Sequence, residues 1–89
     1  MFMKRITYTN RNNIDLFDII GQKKEVHHLI INGVHISDAN LYAKLEISSD
    51  RQHLSIYTED EFCSSADISI DDIETIKFKT SNEEFELTK

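Results

Sequence analysis

Seven carboxylates, Glu59, Asp60, Glu61, Asp67, Asp71, Asp72 and Glu74, stand in a stretch that contains no Lys or Arg. Paired carboxylates can do acid–base work or hold calcium, but a calcium loop needs acids at alternate positions ahead of a Gly. No Asp-x-Asp-x-Asp-Gly run is present. What remains open to these groups is long-range electrostatics. Carboxylates spread over a rigid scaffold can imitate phosphate spacing and steer a basic protein towards its docking surface. The same charge repels the nucleic-acid backbone, so direct nucleic-acid binding through this stretch is disfavoured. The plainer reading is a solvated face that blunts sheet edges and prevents aggregation.

Four histidines and one cysteine are the other reactive types. Zinc requires three or four converging ligands, and neither a Cys-x-x-Cys nor a His-x-x-x-His spacing occurs, so no metal and no cofactor is expected. His28 and His35 fall on one face of a hairpin while His27 points to the other, which makes that face the one feature able to respond to pH near neutrality. Cys63 as a nucleophile would need a His and an orienting group beside it. Its neighbours are Ser64, Ser65 and the acids of 59–61, and negative charge opposes thiolate formation, so an inert Cys is expected. No catalytic constellation emerges, and the chain reads as a non-enzyme.

The elements that must carry these residues follow from composition and periodicity. Eighty-nine residues suggest a single domain, 1–89, able to bury about 60–65% of its unfolded surface. Thirteen Ile, no Pro and only two Gly tilt the chain towards β-structure and away from linker-like classes. Net charge is −6 but uneven: residues 1–28 hold five bases against three acids, and residues 29–89 hold five against thirteen. A lone Cys and the lack of any long apolar run predict a cytoplasmic protein without a membrane segment. The Ile, Asn and Lys richness fits an AT-rich bacterial or phage genome.

Lys4 to Thr9 alternates as a strand. Leu16, Phe17 and Ile20 share one face of a short helix over 14–20, with Asn12 or Asn13 as its N-cap and Gly21 as its stop. Asn32-Gly33 between apolar alternations predicts a type I′ hairpin pairing Ile31 with Val34, with Leu29 beside Ile36. A second hairpin joins Leu41–Ser48 to Leu54 and Ile56, setting Lys44 across from Tyr57. Glu59-Asp60-Glu61 reads as a turn, after which Phe62, Ala66, Ile68 and Ile70 share the inward parity. From Asp67 to Thr80 a period of two is interrupted by one step of three. That predicts two strands joined by a single 3₁₀ turn at Asp71-Asp72-Ile73-Glu74. A last hairpin turns through Ser81 to Glu84 and brings Phe78 near Leu87.

Together these predict an all-β or β-rich α+β fold: a small, strongly bent antiparallel sheet or barrel of about six or seven short strands in meander order, with one short N-terminal helix. The order of a capped helix, a strand, an Asn-Gly turn, a long second strand and a strand–3₁₀–strand ending resembles Sm-like barrels, including the bacterial RNA chaperones. The most similar stretch is Leu29-Ile30-Ile31-Asn32-Gly33-Val34-His35-Ile36, and the resemblance spans about Asn13 to Phe78. It implies an SH3/Sm-like barrel topology. The family's strand-bending Gly has no counterpart around Asp38-Ala39-Asn40. Its basic and aromatic positions fall on Ser69-Ile70-Asp71-Asp72, so RNA binding and ring assembly are not carried over.

Two functions are expected from these features. The first is a small acidic inhibitor, immunity-type or phage or mobile-element accessory protein that docks through the seven carboxylates on a basic nuclease or nucleic-acid-binding enzyme. The second is an SH3/Sm-like module that self-associates through edge strands. It would bind RNA or another subunit through His28, Ile30 and His35, or through Lys4, Arg5, Arg11, Lys23 and Lys24.

Overall fold

A nine-residue strand at the centre of the sheet decides the architecture. In a computed structural model that describes residues 3–38, 41–58 and 65–89, the strands are β1 (Lys4–Tyr8), β2 (Lys23–Ile31), β3 (Val34–His35), β4 (Ala43–Ile47), β5 (His53–Thr58), β6 (Ser65–Ser69), β7 (Thr75–Lys79) and β8 (Glu83–Thr88). Among the described residues a single α-helix, α1 (Leu16–Ile20), precedes β2, and 3₁₀ turns occupy Arg11–Asn13 and Ile70–Asp72. The first half of β2 pairs with β4, from Lys23 opposite Glu46 to Val26 opposite Ala43. Its second half pairs with β7, Ile31 lying opposite Ile76. Within the β2–β7 ladder the register shifts between His27, opposite Lys79, and Ile30, opposite Lys77, and His28 takes a φ of 52°. An extra residue of this kind leaves the ladder and bends the strand. One strand can therefore serve two groups of partners.

The sheet runs β1-β8-β7-β2-β4-β5-β6, with β3 paired to β2. Among the described residues it is a mostly antiparallel sheet of eight strands that does not close into a barrel. The expected meander gives way to long-range pairing. The β1 strand lies parallel to β8, with Ile6 opposite Phe85, and β7 reaches back to β2. Both expected hairpins around β2 and β4 are present. Asn32 and Gly33 have φ of 52° and 80°, as a type I′ turn requires, and Lys44 stands opposite Tyr57.

Alternation places Leu29, Ala43, Leu45, Leu54 and Ile76 inward, and all are wholly buried, as are Ile73 and Leu87, while Phe78 and Leu16 are nearly so. Val26 is also wholly buried, although alternation from Leu29 would put it on the His28 face; the register shift at His28 brings it back to the core side. The helix is shorter than expected and is capped by Asp15, whose side chain accepts from the Phe17 amide at 2.9 Å. Asn12 and Asn13 belong to the preceding 3₁₀ turn instead. Gly21, with φ of 70°, ends the helix, and the Lys24 ammonium donates to the Ile19 carbonyl at 2.9 Å, where a cation also suits the helix dipole.

Three expectations are corrected. The last hairpin turns through Ser81 and Asn82 alone, because the Thr80 amide already donates to the Glu83 carbonyl at 2.8 Å. Phe78 therefore opposes Phe85, their ring centroids 4.9 Å apart, and Leu87 opposes Ile76. Ala66 is exposed, whereas Ile68 and Ile70 are half-buried. The 3₁₀ turn begins one residue earlier than its spacing suggested, at Ile70, so that Ile73 follows it as a fully buried peg. Phe62, Cys63 and the turn at Glu59-Asp60-Glu61 lie outside the described residues.

Candidate functional site

The acidic stretch is held as a corner. The β6 strand delivers Ser69 to the turn, where the Ile70 amide donates to the Gln52 carbonyl at 2.9 Å and the Ile73 amide closes the turn onto the Ile70 carbonyl at 3.1 Å. Ile73 anchors its exit in the core. Backbone carbonyls in so tight a turn cannot all be satisfied locally, and donors arrive from three distant parts of the chain.

The first donor is Arg11, a side chain only 7% exposed. Its Nη2 donates to the Ile70 carbonyl at 3.1 Å and also to the Ile73 carbonyl, while its Nε is buried without a hydrogen-bond partner. Second is Asn32, at the tip of the β2–β3 hairpin. Its Nδ2 donates to the Asp72 carbonyl at 2.9 Å, and its Oδ1 accepts from the Glu74 amide at 2.7 Å and the Thr75 amide at 3.1 Å. Its own amide donates to the Thr75 carbonyl at 2.9 Å. Third is Lys89, whose amide donates to the Glu74 carbonyl at 2.9 Å and whose ammonium donates to the Asp71 carbonyl at 2.8 Å.

The result fixes the main chain and leaves the carboxylates outside. Asp71, Asp72 and Glu74 are exposed and make no ion pair among the described residues. Asp67 is also exposed, and accepts a hydrogen bond from the Ser55 hydroxyl across the β5–β6 pair. Four of the seven expected carboxylates therefore lie on one edge strand and the corner that follows it. Glu59, Asp60 and Glu61 fall outside the described residues.

The alternative residues separate differently. His28, Ile30 and His35 do come together, lining a cavity of about 260 Å³ with Ile36, Ser37, Asp38 and Leu41. His28 and Ile30 also border a second cavity of about 220 Å³, whose other wall includes Lys77, Lys79, Glu84 and Glu86. His27 turns away and meets the Tyr42 ring edge-on, with centroids 5.6 Å apart. No three His, Cys, Asp or Glu side chains among the described residues converge on a common point that could hold an ion.

The basic set does not form one surface. Arg11 is buried at the corner, Lys24 reaches over the helix end and the Phe85 ring, and Arg5 pairs with Glu84 at 3.5 Å. Lys4 and Lys23 remain exposed. Sequence reading places Arg11 with the surface bases because nothing local marks a residue whose acceptors lie some sixty positions away. Asn32 was legible as a turn residue, through the Gly that follows it, but not as a clamp. The chain matches no family model, no curated protein and no solved structure.

Proposed function

We propose that this chain is a small non-enzymatic binding protein of the inhibitor or immunity type. It docks on a basic protein, such as a nuclease or nucleic-acid-binding enzyme, through Asp67, Asp71, Asp72 and Glu74 together with Glu59, Asp60 and Glu61. The observation that carries this reading is the corner itself. Its carbonyls are taken up by Arg11, Asn32 and Lys89, while its carboxylates face water. A fixed backbone presents charge with little ordering cost on association, and a concentrated negative field raises the on-rate for a cationic partner. The test is capture from host lysate by wild type and by D71K/D72K protein at low and high salt. A basic protein retained by wild type and lost with charge reversal or salt is the expected result. Retention of the same partners by both proteins refutes the reading.

A second reading is an Sm-like or SH3-like self-associating module. It is favoured by the order of elements, since α1 precedes β2 and a 3₁₀ turn separates β6 from β7, and by the two edges β1 and β6 left at the ends of the sheet. Its RNA-binding arm is weakened by the structural use of Arg5, Arg11 and Lys24. Light scattering across a concentration series decides it, a monomer throughout dismissing self-association.

A further inference from the structure

The edge of β6 borders a mostly apolar groove of about 290 Å³ between the β2–β3 hairpin and the β5–β6 pair. Its floor is Ile31 and Ile56, both buried, and its walls include Ile36 and Ile68. Val34 stands at its rim, 62% exposed. The hydrogen-bond alternation of an antiparallel pair tells which backbone groups of β6 are free. Because the Ile70 amide donates to the Gln52 carbonyl, Ile68 opposite Leu54 and Ala66 opposite Ile56 also bond towards β5. The amides and carbonyls of Ser65, Asp67 and Ser69 point the other way, and no described strand pairs with them.

We propose that this groove and edge accept an extended segment of the basic partner, added to the sheet as a strand beside β6, an inference that rests on the docking function proposed above. Side chains of an added strand alternate between two faces, so every second residue enters the apolar groove and the others fall on the face that carries Asp67. The matching segment alternates aliphatic residues with Lys or Arg. Charge selects this occupant, since no base occurs from Ser65 to Ile76 and the strand leads directly into Asp71, Asp72 and Glu74. A second copy is a poor occupant on two counts. Two β6 edges would oppose like charges at Asp67, and the apolar side chains of the other edge, Ile6 and Tyr8 of β1, are already packed on the core.

The test is NMR titration of the full chain with peptides of about ten residues, long enough to span the edge strand. One peptide alternates Lys with Val, one alternates Lys with Ser, and one alternates Glu with Val. The Lys-Val peptide is expected to bind, to slow exchange of the Asp67 and Ser69 amides and to shift the Val34 methyls. The Lys-Ser and Glu-Val peptides are expected to bind at least about tenfold more weakly. These swaps leave the protein intact, so misfolding cannot imitate the outcome. Equal binding of Lys-Val and Lys-Ser peptides, without protection at Asp67, overturns the groove while leaving the acidic docking surface standing. Lys-Val binding that D71K/D72K protein retains in full removes the acidic corner and leaves the groove. No binding of the Lys-Val peptide, or protection of Asp67 by self-association without peptide, overturns this inference.

Discussion

Replacing Asn32 by Gly isolates the clamp from the turn. A type I′ hairpin accepts Gly-Gly as readily as Asn-Gly, so the φ of 52° at position 32 is preserved without strain. What disappears is the set of three side-chain hydrogen bonds to the Asp72 carbonyl and the Glu74 and Thr75 amides. These bonds are exposed, so each is worth about 0.5 kcal/mol, the low end for a net hydrogen bond. Added freedom of the unfolded chain contributes roughly another 0.5 kcal/mol. The expected loss is about 2 kcal/mol, which for a domain of this size lowers Tm by about 8–16 °C. Urea titration by circular dichroism measures the loss, and amide exchange at Glu74 and Thr75 locates it. A loss below about 0.5 kcal/mol, with those two amides as protected as in wild type, would show that Asn32 serves only its own turn and that the corner is held without it.

Arg11→Met removes the two bonds to the Ile70 and Ile73 carbonyls but also relieves a buried guanidinium whose Nε lacks a partner. The terms partly offset, and a net loss of about 1–3 kcal/mol is expected. Arg11→Lys should not restore it, since an ammonium is more strongly hydrated than a guanidinium and costs more to bury at this site; equal stability of the Lys variant and wild type in urea would contradict this. The Ser48 hydroxyl, first, and the Gln52 amide donate to the Asp50 carboxylate and hold its pKa below the ordinary carboxylate range. A lowered folded-state pKa stabilises the fold above the unfolded value of about 3.9, and that contribution fades as pH falls through the folded value. Asp50→Asn should therefore flatten the acid limb of stability below about pH 4, and urea midpoints between about pH 5 and 2 check it.

Local signals were legible and long-range ones were not, and particular residues show why. Gly33 announces a turn by its freedom at positive φ, and alternation in β4 and β5 fixes the Lys44–Tyr57 register through a short loop. The step of three from Ile73 to Ile76 announces the 3₁₀ corner. None of these needs information from elsewhere in the chain. The parallel pairing of β1 with β8 joins positions some eighty residues apart, and no local pattern states it. Glu83 and Glu84 read as loop, which places Phe78 near Leu87; the bond from Thr80 to Glu83 starts the strand earlier and moves the register by two. The left-handed His28 was equally hidden, because a bulge at a non-Gly residue is imposed by the strands on either side. At the candidate site the acids could be counted from the sequence, whereas their supports, Arg11, Asn32 and Lys89, could not.

Those supports also account for why the corner tolerates its charge. Three exposed carboxylates within four residues, Asp71, Asp72 and Glu74, repel one another, and a tight turn offers them no room to separate. Two of the three supports are cations that bind the corner through its carbonyls rather than its carboxylates. Positive charge therefore stands behind the turn and offsets the repulsion, while the carboxylate oxygens keep their capacity to accept. Had Arg11 and Lys89 paired with the carboxylates directly, two of the corner's three negative charges would be neutralised. Placing the cations on the main chain instead stabilises the fold and leaves the carboxylates of the corner without an ion pair among the described residues.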